Sequence, residues 1–227
     1  MKIRSLIVIA AFLMLFSCAE KRTNPLIQNL DKSWVVTTDT LDIKMQVDIP
    51  SVIQADMYEN GLIPHPYKSN VEPQLLWIPQ HEWVYTLDFE AENDILNEDV
   101  IELVFEGLDT YADVWMNGKK LLHADNMFRT YSCDVKDIIK EKNNIKIKFY
   151  PFDKERDSLI ETYRLRFPEK YAVMRKAAYQ NGWDWAPRYM NMGIWQPVYL
   201  KAWTRSTICS ASVITKDIQD NQADLLF

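Results

Sequence analysis

From Gly182 the chain reads Gly182-Trp183-Asp184-Trp185-Ala186-Pro187-Arg188, and then Gly193-Ile194-Trp195 and Pro197. Three tryptophans and one carboxylate thus fall in a stretch punctuated by glycine and proline. A hexopyranose presents a flat C–H face and a rim of hydroxyls. An indole plate suits the face and an ionised carboxylate accepts hydrogen bonds from the rim, so this pairing has the chemistry of a sugar site. Any one of the tryptophans would serve equally well inside a sandwich core. Asp184 tilts the balance, because a charge between two indoles is costly to bury alone. It either faces a wet pocket or anchors a buried hydrogen-bond network.

Short alternating segments rich in β-branched and aromatic residues must carry these groups. They run over Ile43 to Val47, Trp83 to Phe89, Val100 to Phe105, Tyr111 to Met116, Phe128 to Cys133, Asn144 to Tyr150 and Pro197 to Trp203. Such spacing predicts the strands of an all-β sandwich, and eight or more of them in about 175 residues suggests a jelly roll. Asn117-Gly118, between Val114-Trp115-Met116 and Lys119-Lys120-Leu121, predicts a two-residue hairpin turn. Between Asp153 and Met174 the pattern changes: Leu159, Ile160, Tyr163 and Leu165 are spaced partly as on a helix, and Pro168 interrupts them. A short helix and a loop are expected there, inserted just before the tryptophan motif, where a rigid scaffold displays functional connections.

The stretch Arg175-Lys176-Ala177-Ala178-Tyr179-Gln180-Asn181-Gly182-Trp183-Asp184-Trp185-Ala186-Pro187-Arg188 resembles the signature of β-mannosidases in glycoside hydrolase family 2. Val47 to Met57, Gly61-Leu62-Ile63-Pro64-His65-Pro66-Tyr67, Trp83-Val84-Tyr85 and Phe105 to Gly118 resemble the family's amino-terminal, galactose-binding-like domain in the same order. The likeness spans Leu30 to Trp203 and departs from the family pattern at Asn181 and Ala186. It implies that Trp183 walls the subsite for a terminal mannose and that Asp184 binds its hydroxyls. Arg188 would hold Asp184 or a loop carbonyl. Asn70 and Glu72 are polar residues beside a family-like segment, with no orientation read for them. In this family the catalytic glutamates sit on a carboxyl-terminal (β/α)8 barrel. Before Phe227 there is no run of alternating strands and helices, so no catalytic residue is expected in this chain.

At the start, Lys2 and Arg4 precede an apolar run from Leu6 to Phe16, and Leu15-Phe16-Ser17-Cys18 closes it. Residues 1–17 read as a lipoprotein signal with Cys18 as the lipidated residue. The run is well short of the roughly 20 residues a spanning helix needs. Residues 18–29 are then expected to be a tether and 30–205 the sugar-binding-like sandwich. Residues 206–227, where Ile208, Ala211, Val213 and Ile214 begin a new strand-like run, are expected to open an immunoglobulin-like domain of a longer enzyme. An exported, lipid-anchored location at a bacterial cell envelope follows.

Hydrophobic residues make up 48% of the chain and aromatics 12%, enough for a sizeable core, which excludes disorder beyond the tether. Net charge is −6, and −8 without residues 1–17, which argues against nucleic acid as a partner. His65, His81 and His123 have no metal-ligand spacing with each other or with a cysteine, so neither metal nor cofactor is expected. Cys133 and Cys209 lie in β-patterned segments and are expected to stay unpaired. The reading is therefore the amino-terminal part of an exo-acting, retaining β-mannosidase whose partners are a β-mannoside glycan, a lipid surface and its own barrel. The alternatives are a related β-galactosidase, β-glucuronidase or exo-glucosaminidase, or a lipid-anchored lectin-like module.

Overall fold

The computed structural model describes residues 24–226 except 39, 165, 167–169 and 209. The expected signal at residues 1–17, Cys18, Leu165, Pro168 and Cys209 therefore lie outside the described residues. Two compact units are present. One runs from Leu26 to Ser206; the described strands of the other are β11 (Ile214–Gln219) and β12 (Gln222–Leu226), an antiparallel hairpin.

The larger unit is a sandwich of two antiparallel sheets. The four-stranded sheet has the order β1 (Leu26–Asn29), β10 (Val198–Trp203), β5 (Val100–Phe105) and β8 (Tyr131–Asp134). The six-stranded sheet has the order β3 (Lys44–Val47), β2 (Trp34–Thr38), β4 (Trp83–Glu90), β9 (Lys142–Phe149), β6 (Ala112–Met116) and β7 (Lys119–Ala124). Alternation decides which side each strand buries. In β9, Ile145, Ile147 and Phe149 point inward while Lys142, Lys146 and Lys148 point out, as a period of two requires. Trp34, Trp83, Tyr85, Phe105 and Phe149 are fully buried between the sheets, each worth about 1.5–3 kcal/mol relative to exposure. The indole N–H groups are satisfied in place: Trp34 Nε1 donates to the Leu30 carbonyl at 2.7 Å and Trp83 Nε1 to that of Ile78 at 2.9 Å.

Asn117 and Gly118 form the expected β6–β7 turn with φ of 51° and 82°. The Asn117 side chain also joins the turn to β9, accepting from the Asn144 N–H at 2.9 Å and donating to Asn143 Oδ1 at 2.9 Å. Two expectations need correction. Leu26–Asn29, read as the end of a tether, is strand β1, because its backbone pairs with Tyr199–Ala202. The strand expected from Phe128 begins only at Tyr131, because Asn126 Oδ1 accepts from the Phe128 N–H at 2.9 Å and curls the backbone into a turn. The insertion has the short helix expected of it, α4 (Phe152–Tyr163), ended by Arg164 in the left-handed region, with a 3₁₀ turn at Lys170–Val173. Three short helices, α1 (Ile53–Glu59), α2 (Glu72–Leu75) and α3 (Asn93–Leu96), had no expectation attached to them.

Helix α1 carries a buried carboxylate. Asp56 accepts from Ser51 Oγ at 2.5 Å and from the Tyr85 hydroxyl at 3.1 Å. Burial raises its pKa to about 6, outweighing the two hydrogen bonds that favour the ionised form. The folded state then holds this proton more tightly than the unfolded chain. Stability from this group is present below about pH 4 and is lost as pH rises through 6, by about 3 kcal/mol in all. Urea denaturation of wild type and Asp56→Asn between pH 4 and 7 checks it: the variant should gain steadily on the wild type, and a difference independent of pH excludes the assignment.

Candidate functional site

The tryptophan motif hangs from a loop whose two ends are tied to one buried carboxylate. Asp109 follows β5 and is 1% exposed. Its backbone exchanges two hydrogen bonds with Gly193, at 2.9 and 3.0 Å. Its Oδ1 accepts from the Lys176 ammonium and the Thr110 hydroxyl, and its Oδ2 accepts from Gln180 Nε2 at 3.1 Å. Lys176 also donates to the Asn191 carbonyl at 2.5 Å, and the Asn191 N–H donates to Gln180 Oε1 at 2.9 Å. Residues on the way into the loop, Lys176 and Gln180, are thereby joined to residues on the way out, Asn191 and Gly193. The ammonium lies 4.4 Å from the centre of the Phe152 ring. Burial lowers the Lys176 pKa to about 8, and Asp109 opposes that shift.

Further contacts hold the same loop against the sandwich. Ser51 and Ile53 donate backbone N–H groups to Ile194 and Met192, each at 2.9 Å, and Gln54 Nε2 donates to the Met190 carbonyl at 2.9 Å. This close approach requires Gly193: a Cβ there would stand 2.8 Å from the Ser51 carbonyl oxygen and 2.9 Å from the Tyr85 hydroxyl, at a φ of 149°. On the other flank Trp195 Nε1 donates to the Met127 carbonyl at 3.0 Å. Gly107 leaves room for that indole, since a Cβ would meet Trp195 Nε1 at 2.5 Å.

From this clasped base the chain climbs through a 3₁₀ turn, Ala178–Asn181, and reverses at Gly182, whose φ is 92°. Trp183 and Ala186 exchange backbone hydrogen bonds at 3.1 Å in both directions, so residues 183–186 form one tight turn. Trp183 is 61% exposed, Asp184 is exposed and Trp185 is 78% exposed. The two predicted binding residues are thus brought together at the tip, in water, and not inside the core. Trp195 is the half-buried member of the trio. Arg188 does not hold Asp184; it donates to the Tyr171 hydroxyl, with its guanidinium 5.3 Å from that ring.

Beside the turn lies a groove of about 360 Å³ lined by Tyr67, Tyr179, Trp185 and Tyr189 with Gln180 and Asn191. Tyr189 is fixed beneath by its hydroxyl, which donates to the Pro66 carbonyl, and meets Tyr67 edge to face at 5.6 Å. Exposed rings grouped in this way make the groove a candidate binding surface. Asn70 and Glu72 do not line it. Sequence reasoning missed the tyrosines and the Asp109 cluster. The available signal was Lys176, next to Arg175 and followed by uncharged residues as far as Trp183, a cation that needs an acid to pair with once buried. Among the described residues no group of His, Cys, Asp and Glu could hold a metal ion.

Residues 31–196 match the family described as glycosyl hydrolase 2 galactose-binding domain-like. β-Mannosidase A of Emericella nidulans is 31% identical over 75% of this chain and 19% of its own length. The β-mannosidase of Mus musculus is 27% identical over 77% of this chain and 21% of its own. The crystal structure of a β-D-mannosidase from Dictyoglomus thermophilum superposes with a TM-score of 0.80 at 29% identity, covering 88% of this chain and 25% of that one. The chain spans about a fifth of the length of the curated relatives it matches.

The Asp109 clasp makes a thermodynamic prediction. Lys176→Met leaves a buried carboxylate without its cation and should lower unfolding free energy by about 3–5 kcal/mol. Lys176→Met with Asp109→Asn should recover part of that loss, because the amide brings no charge into the core. A double-mutant cycle by urea denaturation reads the coupling, and single losses that merely add would remove the pair from this role.

Proposed function

As the chain belongs to the glycosyl hydrolase 2 galactose-binding domain-like family over residues 31–196, we propose that it forms the amino-terminal, substrate-contacting part of an exo-acting β-mannosidase that releases terminal β-mannose with retention. The observation that carries the reading is the tip of the clasped loop, where an indole and a carboxylate adjoin each other in solvent on a rigid base. In this mechanism Trp183 covers the C–H face of the terminal mannose. Asp184 accepts hydrogen bonds from hydroxyls remote from the anomeric carbon. Their contribution is orientation: they hold the sugar where two other carboxyl groups can act as nucleophile and acid. Those two groups belong to the part of the enzyme outside these residues, so this chain alone is without turnover. Its similarity to β-mannosidases favours mannose over the substrates of other family members.

Residues 1–17 act as a lipoprotein signal in this proposal, and Cys18 becomes the acylated first residue of an envelope-anchored enzyme. Two or more acyl chains, at about 0.8 kcal/mol per buried methylene, are enough for a stable anchor. Mass spectrometry of the mature terminus should find a diacylglyceryl thioether on Cys18; an unmodified cysteine there would end the anchor.

Asp184 tests the substrate role. Because it is exposed, Asp184→Ala should leave the melting temperature within about 2 °C of wild type. In the complete enzyme the same change should reduce kcat/KM on an aryl β-mannoside by about a hundredfold or more. Kinetics within threefold of wild type would remove Asp184 from the substrate site.

A further inference from the structure

The turn that carries Trp183 and Asp184 has a second side. Trp185, one residue further on, faces a groove whose lining includes neither Trp183 nor Asp184. Trp185, Tyr67 and Tyr179 stand 78%, 73% and 57% exposed, so three aromatic plates are held in water around one concavity. No charged side chain lines it; its polar groups are the amides of Gln180 and Asn191 and the tyrosine hydroxyls. Gln180 is oriented by its bonds to Asp109 and to the Asn191 N–H, and only one of its two amide N–H donors is used by them. The Asn191 side-chain amide has no partner among the described residues. Aromatic plates with amides between them fit a neutral sugar ring, apolar on its faces and hydroxylated at its edge. A phosphate or uronate would find no cation there. At about 360 Å³ the groove lies at the low end of the range for small-molecule sites, suited to one or two sugar rings.

Resting on the reading of Trp183 and Asp184 as the wall of a terminal-mannose subsite, we propose that this groove receives the next sugar of the glycan. That sugar is a neutral hexopyranose, covered by Trp185, Tyr179 and Tyr67 and hydrogen-bonded by Gln180 and Asn191. One four-residue turn then separates two sugar positions and holds them at a set spacing, since both its walls move with the same clasped backbone.

The test uses the complete enzyme and two substrates, β-1,4-mannobiose and β-mannosyl fluoride, whose single-atom leaving group cannot reach the groove. In Trp185→Ala and in Tyr179→Ala, the ratio of kcat/KM on mannobiose to kcat/KM on the fluoride should fall at least about tenfold, chiefly through KM. Asp184→Ala should lower both values and keep their ratio. A ratio within twofold of wild type in both groove variants overturns the subsite; that is also the outcome for a face that packs against another domain. If the wild-type enzyme hydrolyses neither substrate, the mannoside reading fails by itself. The groove is then judged by titrating this chain with mannobiose and cellobiose while following tryptophan fluorescence. A saturable change lost in Trp185→Ala retains a neutral-sugar site, whereas flat titrations reject it.

Discussion

A carboxylate enclosed in a β-sandwich is tolerable only when its charge and lone pairs are all met, and Asp109 meets them with a lysine, a hydroxyl and an amide. Each of those donors comes at a cost in chain entropy, because Lys176 and Gln180 lie on a connection that would otherwise sample many conformations. The need to satisfy Asp109 therefore selects one path for the loop. The Asp109–Gly193 backbone pair and the Lys176–Asn191 bond close that path from the far side. A polar cluster with few alternative partners acts here as a specificity device as much as a source of stability.

That constraint reconciles two features that conflict locally. Two tryptophans and two tyrosines stand largely in water, which the hydrophobic effect disfavours, yet the turn carrying the tryptophans and the neighbouring segments carrying Tyr179 and Tyr67 are held from below. Exposed rings on a mobile loop would collapse onto the nearest apolar surface. Here the backbone bonds between Trp183 and Ala186, the Gly182 reversal and the anchoring of Tyr189 to the Pro66 carbonyl prevent that collapse. Glycines without room for a Cβ set how closely the loop approaches the sheet: Gly193 against Ser51 and Tyr85, and Gly107 beneath the Trp195 indole.

The sandwich itself was legible because period-two alternation reports directly on which side of a strand is buried. In Lys142–Phe149, lysines alternate with Ile145, Ile147 and Phe149, and no other local structure accommodates that order. Asn117-Gly118 was legible for an equally local reason, since both residues adopt positive φ cheaply. Where the reading went astray, a contact distant in sequence was responsible. Leu26–Asn29 is a strand because β10, more than 160 residues later, offers it a free edge. The strand expected from Phe128 starts late because an Asn126 side chain captures the Phe128 N–H, a competition invisible to hydrophobic pattern.

Sequence alone determined the class of fold, the chemistry available at Trp183 and Asp184, and the likeness to a glycosidase family. Each of these depends on residue type and short spacing. The tertiary structure decided that Asp184 faces solvent while Asp109, an unremarked acid 75 positions earlier, is the one that is buried and paired. It also decided that Arg188 serves Tyr171 and that Tyr67 and Tyr179 share a groove with Trp185. The physical reason is the same throughout: desolvation and pairing energies depend on what surrounds a group in space, and those surroundings come from segments that strand order brings together.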